Sequence, residues 1–315
     1  MPWIVGIDEA GYGPNLGPLV QSAVAARVPD GVGCLWACLA NGVRRAADPD
    51  DGRVLIDDSK LVYAGPNGLA RLERGVVGVL AQCEPVGQFL GGVACGTSLP
   101  DLASERWYEP GESLPIALDR DAVAAPPPCF ADAAATGRIQ FHAARCVVTP
   151  APRFNALLDR WGSKAAALEQ GVIVLLRDIL GAVAGDEPVT IVIDKQGGRN
   201  FYAPWISTAL PDGWVMPVRE SALRSEYQVL GLGREVRLVF LPRADSDALP
   251  VALASMLAKY LREVFMRQFN RFWVGHVPGL KPTAGYPGDA KRFYDAIRAA
   301  MERLEMGECQ VWRRK

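Results

Sequence analysis

Two short apolar runs, each ending at an acidic residue, constrain the fold of this chain more than any other feature. Residues 3–7 lead into Asp8, and residues 189–193 lead into Asp194. Short apolar runs that stop at polar residues and glycines are typical of buried β-strands. Helical patterns alternate with such runs along the chain, and this alternation predicts an α/β fold.

Further elements follow from hydrophobic periodicity. Strands are predicted at 19–28, 138–148 and 236–241, and helices at about 67–82, 150–184, 200–210, 250–269 and 289–304. The helix at 250–269 is the clearest, because its apolar residues recur on one helical face. The sequence contains no internal repeat, and we predict a single domain over residues 1–315.

Residues 83–136 differ from their surroundings. They contain clusters of glycine and proline, including the run at 126–128, and show weak periodicity. Such composition predicts an insertion or accessory subdomain of loops and short strands within the domain.

Composition excludes some classes of protein. Half of the 315 residues are hydrophobic and the net charge is −1, so a nucleic-acid partner would need a local basic patch. The seven cysteines form no CxxC pair, which favours small buried residues in a reducing compartment over a zinc site. Neither a signal-type start nor a membrane-length apolar stretch is present, and we expect a cytoplasmic protein.

Four acidic residues stand in contexts typical of metal ligands: Asp8, Glu9, Asp194 and Asp245. Carboxylates at strand ends and before helices can converge at one edge of a sheet. Four of them in one place repel each other unless a cation compensates, and hard oxygen ligands suit Mg²⁺ or Mn²⁺. The set therefore indicates two-metal phosphodiester chemistry.

Each of these acids also has an ordinary structural interpretation. Adjacent residues on a strand point to opposite faces, so Asp8 and Glu9 can approach one metal only if the strand ends between them. Otherwise they belong to a solvated turn. Asp194 can be a turn or helix-capping residue, and Asp245 or Asp247 can cap the helix that follows.

Phosphate-binding signals are weaker. The glycines at 11, 13 and 17 miss the dinucleotide-binding spacing, and no Gly-Lys-Ser/Thr sequence is present. Ser255 and Lys259 lie four residues apart on one helical face, which is compatible with a phosphate contact or with an ordinary half-exposed face.

In their order along the chain, these motifs resemble type 2 ribonuclease H (ribonuclease HII). That family begins with a strand ending in Asp-Glu-Ala-Gly-x-Gly-Pro-x-x-Gly-Pro, which residues 8–18 match throughout. Residues 58–60 match its Asp-Ser-Lys element, Asp194 matches its strand-end Asp, and residues 285–287 match its late Gly-Tyr element. Asp245 and the segment 254–259 resemble the family's Asp followed by Ala-Ser-Ile-hydrophobic-Ala-Lys.

The resemblance implies a ribonuclease H-like fold, with a central mixed sheet flanked by helices. It also implies an endonuclease that cuts the RNA strand of RNA–DNA hybrids, or ribonucleotides within duplex DNA, leaving 5′-phosphate and 3′-hydroxyl ends. Asp8, Glu9, Asp194 and Asp245 would be catalytic and would hold two Mg²⁺ or Mn²⁺ ions. The substrate-binding residues would be Gly11, Tyr12, Gly13, Ser59, Lys60, Ser255, Lys259 and Tyr286.

Among these, Tyr286 would stack on the sugar and help to sense the 2′-hydroxyl that separates RNA from DNA. The predicted partner is therefore nucleic acid, without a membrane, and we expect a monomer. In the insertion, Arg106, Trp107 and Tyr108 either extend the hybrid-binding surface or belong to a packing cover over the edge of the sheet.

The chain also departs from the family pattern. Tyr12 stands where the family usually has Arg, and Ala284 replaces the Lys that precedes its Gly-Tyr. Extra sequence is present at 83–136 and between Asp194 and Asp245. These differences indicate a divergent member with altered substrate preference.

Two alternatives remain open. An actin-like sugar or acetate kinase also begins with a strand and Asp-x-Gly, but it requires a second phosphate-binding Gly-Thr element, which we do not find. A non-catalytic hybrid-binding protein is the other alternative, and the presence of all four carboxylates argues against it.

Overall fold

Most strands of the chain join one mixed β-sheet. The structure, a computed structural model, describes residues 1–80, 84–183 and 185–314. Its strands are β1 (Trp3–Ala10), β2 (Leu19–Arg27), β3 (Val43–Arg44), β4 (Val54–Leu55), β5 (Gln140–Thr149), β6 (Val189–Asp194), β7 (Trp214–Glu220), β8 (Ser225–Leu230) and β9 (Val236–Leu241). The seven-stranded sheet has the order β5-β2-β1-β6-β9-β8-β7, and β3 and β4 form a separate parallel pair.

Helices cover both faces of this sheet. They are α1 (Leu35–Cys38), α2 (Ser59–Tyr63), α3 (Gly68–Leu80), α4 (Val86–Val93), α5 (Ser98–Ala103), α6 (Pro128–Gly137), α7 (Ala151–Trp161), α8 (Lys164–Ala182), α9 (Ala203–Ala209), α10 (Ala244–Asp247), α11 (Leu249–His276) and α12 (Pro287–Arg303). Short 3₁₀ turns lie at Arg120–Val123 and Glu308–Gln310. The prediction of an α/β fold with a central mixed sheet flanked by helices is confirmed.

Strand direction determines where functional groups can meet. The central strands β1, β6 and β9 run parallel, while β2 and β5 on one side and β8 and β7 on the other pair antiparallel. The carboxyl ends of the three parallel strands therefore lie at one edge of the sheet, where α/β folds commonly place their sites.

The long helix α11 is the main packing partner of the central strands. It lies against β1 and β2, and a core of side chains from α3, α11 and α12 fills that face. A Cβ atom on Gly6 would lie 2.1 Å from the Pro250 backbone, so only glycine lets β1 approach the start of α11 this closely. On the opposite face, α8 and α9 pack over a second core.

The predicted insertion differs from expectation in its secondary structure. Instead of loops and short strands, α4, α5 and α6 occupy much of residues 84–136, while Cys83 lies outside the described residues. These helices have only eight, six and ten residues, too few to establish a periodic pattern, and prolines begin two of them. The glycines and prolines that indicated loops therefore mark helix boundaries.

Residues 84–136 also contribute to the main core. Trp107 is 3% exposed, and its ring lies 6.1 Å from the rings of Phe265 and Phe269 on α11. Leu90 and Phe130 are buried in the same core. This packing favours the interpretation of Trp107 as part of a cover over the sheet.

Four of the described strands were not expected from the sequence: β3, β4, β7 and β8. β7 and β8 form a hairpin between Asp194 and Asp245, at the far side of the sheet from β5. β7 is an edge strand with mostly exposed side chains and a proline, Pro217, so it lacks the alternation that identifies half-buried strands. No helix within the described ranges is long and apolar enough to cross a membrane.

Candidate active site

The sequence-predicted carboxylates lie around one edge of the sheet. Asp194 is the last residue of β6, and Asp245 lies in α10, directly after β9. Asp8 and Glu9 lie in the last part of β1. They follow Ile7, the last residue of β1 that pairs with β6. The parallel arrangement of these strands brings the four acids into electrostatic contact.

The strand does not end between Asp8 and Glu9, contrary to expectation. β1 continues to Ala10, and both acids pair with β2. Its parallel pairing with β6 stops one residue before Asp8, so the acids have a neighbouring strand on one side only. Both acids are nevertheless close enough to Asp194 for its charge to raise their pKa values.

Repulsion between acids is visible in the pKa values of Asp8 and Glu9. Burial raises the pKa of Asp8 well above its usual range, and the charges of Glu9 and Asp194 raise it further. Burial together with the Asp194 charge raises the pKa of Glu9 to about 7. Each carboxyl therefore resists ionisation in this structure unless positive charge is added.

The other two carboxylates have raised pKa values for related reasons. Burial raises the pKa of Asp194, although its Oδ1 accepts a hydrogen bond from the Ala244 N–H at 2.9 Å. Burial also raises the pKa of Asp245, followed by the charges of Asp58 and Asp194. Asp58 is thus a fifth acid of the cluster, which the sequence indicated only as a member of its Asp-Ser-Lys element.

Lys60 is a cation shared by this cluster. Its charge lowers the pKa of Glu9, Asp194 and Asp245, in each case by less than burial raises it. Lys60 is placed by α2, whose first turn is capped by Asp58 through a 2.8 Å hydrogen bond from the Lys60 N–H. One lysine does not balance several acids, so the cluster remains short of positive charge.

A divalent ion would correct this imbalance. In the arrangement observed here, no three His, Cys, Asp or Glu side chains of the described residues are placed so as to hold a metal ion. The chemistry of the donor set nevertheless fits a hard cation, because the set consists of carboxylate oxygens whose pKa values are raised by burial and mutual repulsion. Asp8, Glu9, Asp194 and Asp245 would be the ligands.

A cleft of about 250 Å³ opens beside the carboxylates. It is lined by Glu9, Ala10, Gly11, Tyr12, Gly13, Pro14, Ser59, Lys60, Lys259, Arg262 and Tyr286. Three of these side chains are cationic, although Arg262 is buried and Lys259 is paired with Glu263. Most of the predicted substrate-binding residues therefore meet in one cleft.

Two loops form a wall of this cleft. Gly11 has a φ of 91°, a conformation that favours glycine, and the Asn15 N–H donates to the Gly285 oxygen at 2.8 Å. A Cβ on Gly285 would lie 2.4 Å from the Leu16 oxygen, so glycine is required for the loops to approach. Tyr286 follows directly and is 51% exposed, which excludes the alternative of a buried core tyrosine.

Ser255 was predicted to bind substrate, but it does not line the cleft. The residue is 4% exposed, and its hydroxyl lies 3.0 Å from the Ser59 hydroxyl and hydrogen-bonds the Asp8 carboxyl. The face of α11 that carries it packs against β1, which removes it from solvent. Lys259, one turn later, does line the cleft, where its ammonium lies 2.5 Å from Glu263.

Tyr12 lies among positive charges. The Lys164 ammonium is 4.6 Å from the centre of the Tyr12 ring. Burial raises the pKa of the Tyr12 hydroxyl, the charge of Glu9 raises it further, and Arg199 opposes both. Although the chain lacks an arginine at position 12, cations from two other elements stand beside this residue.

Two buried arginines lie near the loop of residues 11–17, which we call the glycine loop. Neither could be expected from a local sequence pattern. Arg262 and Arg313 are each 1% exposed. Arg313 donates to the Gly11 oxygen at 2.6 Å and also to the Pro14 oxygen, although 302 residues separate it from Gly11. Burial and then the charge of Arg262 lower the pKa of Arg313 to about 9. The C-terminal segment thus supports the loop that lines the cleft.

Comparisons with known proteins define the class of fold. No protein-family model matches the sequence, and no curated protein matches it. A ribonuclease H2 from Pyrococcus horikoshii OT3 has a similar structure, with a TM-score of 0.50, 13% identity, and coverage of 98% of this chain and 92% of that one. The chain therefore has the α/β fold of ribonuclease H2 structures over nearly its full length.

Other solved structures are similar to a lesser degree. The ribonuclease HII of Archaeoglobus fulgidus, in its complex with PCNA, has a TM-score of 0.42 and 12% identity, over 99% of this chain and 94% of that one. Bst-RNase HIII, in complex with Mn²⁺, has a TM-score of 0.41 and 17% identity, over 99% of this chain and 66% of that one.

Proposed function

We propose that this protein is a metal-dependent endonuclease that hydrolyses the RNA strand of RNA–DNA hybrids, or cleaves at ribonucleotides within duplex DNA. The observation that carries the proposal is the placement of the carboxylate cluster beside a cleft that contains Lys60 and Lys259, at the carboxyl edge of a ribonuclease H-like sheet. A sheet of this kind by itself supports many activities, so the proposal depends on the side chains at its edge.

Asp8, Glu9, Asp194 and Asp245 would hold two Mg²⁺ or Mn²⁺ ions. Such ions, when bound, favour attack by water on phosphorus and stabilise the leaving 3′-oxygen. The protein contributes by placing Asp8 and Glu9 in β1, Asp194 at the end of β6 and Asp245 in α10 after β9. The Ser255 side chain hydrogen-bonds the Asp8 carboxyl, which lowers the pKa of that carboxyl and favours its charged form.

The cleft residues would bind and orient the nucleic acid. Lys60 and Lys259 would attract the phosphate backbone, with the Ser59 hydroxyl nearby. Glycine backbone at positions 11 and 13 permits close approach of a strand, because no Cβ intrudes. The half-exposed ring of Tyr286 would stack on the sugar of the ribonucleotide and help to sense its 2′-hydroxyl.

Three duplexes test this function: a long RNA–DNA hybrid, a DNA duplex with one ribonucleotide, and DNA alone. Each is incubated with Mg²⁺, Mn²⁺ or EDTA, and the ends of the products are identified. We expect cleavage of the first two duplexes with either metal, none with EDTA, and 5′-phosphate and 3′-hydroxyl products. Tight binding without cleavage in any metal would instead favour a non-catalytic hybrid-binding protein.

A matched pair of variants separates metal binding from general charge. Asp245→Asn removes a carboxylate of the cluster, and we expect activity to fall by at least about 100-fold, as for loss of a key stabilising group. Asp247→Asn removes an exposed acid two residues away in the same short helix and should leave activity unchanged. Equal activities of the two variants would contradict the assignment of Asp245.

A further inference from the structure

The loop that follows Asp194 carries an aromatic ring that is exposed to solvent. We call residues 195–201 the β6 loop. Phe201 in this loop is 67% exposed, whereas the next residue, Tyr202, is fully buried. The Tyr202 ring stacks on Phe240 with a centroid distance of 3.8 Å. Tyr202 therefore anchors the end of the loop while Phe201 remains uncovered.

Lys195 holds the β6 loop in one conformation. Its ammonium donates to the Asn200 Oδ1 at 3.0 Å, and to the Ser221 oxygen and the Ser225 hydroxyl at 2.7 and 2.9 Å. It also donates to the Arg199 oxygen at 3.3 Å. These bonds join the loop to the β7–β8 turn, so a ligand meets a loop that is already ordered and loses less entropy on binding.

The same loop brings a guanidinium to the glycine-loop side of the site. Arg199 forms a 2.6 Å ion pair with Glu169 and is close enough to act electrostatically on the Tyr12 hydroxyl. The Lys164 ammonium lies on the ring of the same tyrosine. Arg243, also at this edge, is exposed and forms no ion pair within the described part of the chain. The loop therefore has Arg199, Lys164 and Arg243 nearby, of which Arg199 is paired with Glu169.

We propose that the β6 loop is a second contact surface for nucleic acid, with Arg199 binding a backbone phosphate beside Tyr12 and Phe201 packing on a sugar. The proposal rests on the function proposed above and specifies where the duplex continues beyond the carboxylates. A large exposed ring in a rigid loop next to cations suits nucleic acid, since rings supply apolar contact and cations neutralise phosphates.

Binding measurements in EDTA, where cleavage is prevented, test the two contacts separately. For Phe201→Ala we expect the dissociation constant for a fluorescent hybrid to rise about 5- to 30-fold, the loss of a ring buried on binding. Phe201→Trp should restore wild-type affinity, because it retains an aromatic surface. Arg199→Gln should lower the slope of log affinity against log salt by about 1, the contribution of one phosphate contact.

Trp214 provides the matched control. It is 74% exposed, and it pairs with Leu230 at the end of the β7–β8 hairpin opposite to the site. Trp214→Ala should leave the dissociation constant unchanged. Melting temperatures within about 2 °C of wild type exclude unfolding as the cause of any loss.

The outcomes separate this proposal from the function on which it rests. If the wild-type protein cleaves hybrids but Phe201→Ala and Arg199→Gln bind as the Trp214→Ala control does, the β6 loop is not a nucleic-acid contact and the proposed function stands. If the wild-type protein neither binds nor cleaves any duplex, the proposed function fails and the loop proposal fails with it.

Discussion

Glu105 allows a test of whether residues 84–136 fold together with the rest of the domain. The residue is 7% exposed, and its Oε1 has no hydrogen-bond partner in the described part of the protein. Burial raises the pKa of this carboxyl from 4.5 to about 7, although a hydrogen bond from Trp107 lowers it. Between pH 4.5 and about 7, the carboxyl of Glu105 is therefore mostly protonated in the folded state and mostly ionised in the unfolded state.

This difference in pKa makes stability dependent on pH. Between the unfolded value near 4.5 and the folded value near 7, the native state binds more protons, so its free energy of unfolding falls as pH rises. For these two pKa values the loss is about 1 kcal/mol at pH 5 and about 3 kcal/mol at pH 8, a change of about 2–3 kcal/mol.

Glu105→Gln removes this titration while keeping the size of the side chain. The new amide N–H group has no evident partner and costs about 1–3 kcal/mol, but this cost does not depend on pH. Urea unfolding of both proteins at pH 5 and pH 8 gives the comparison, in which all other titrating groups cancel. We expect the free energy of unfolding of the variant, relative to wild type, to rise by about 2–3 kcal/mol between these pH values.

A relative stability that is the same at both pH values would refute this reasoning. It would mean that Glu105 is hydrated in the native state, or that its segment opens without unfolding the main core. The result also bears on deletion variants. Replacing residues 84–136 with a linker would expose the surfaces of Phe265 and Phe269 that now pack on Trp107. If the segment and the core unfold together, this exposure should lower the stability of the whole core.

Four further variants address the site. Asp194→Asn should lower hybrid cleavage by at least about 100-fold with folding retained, because its amide oxygen can still accept the Ala244 N–H; normal cleavage would contradict the assignment. Tyr286→Ala should lower cleavage at a single ribonucleotide with little change in melting temperature, since the ring is half exposed; an unfolded variant would count against this role. Tyr12→Arg should bind hybrid more tightly and with a steeper dependence on salt, and equal slopes would reject the idea. Arg313→Met should reduce cleavage about 10- to 100-fold by releasing the glycine loop, and a rate equal to wild type would show that the loop is held by other contacts.

Part of the candidate site could be predicted because its information is local. An acid at the end of an apolar strand, such as Asp194, can be recognised without knowledge of the rest of the fold. Similarly, the spacing of Lys259 from Ser255 follows from helix geometry alone. The sequence did not show which of these two residues lines the cleft. In the structure Ser255 is buried, whereas Lys259 lines the cleft.

The sequence alone predicted the class of fold and the central strands, since buried strands and amphipathic helices leave periodic patterns of apolar residues in the sequence. It also supplied the four acids as candidates for the site. Only the tertiary structure showed β7, because an exposed edge strand has no burial pattern to detect. It also brought Arg313 beneath Gly11 and Arg199 beside Tyr12. Such contacts join residues far apart in sequence, and they depend on how the whole chain packs rather than on any local pattern.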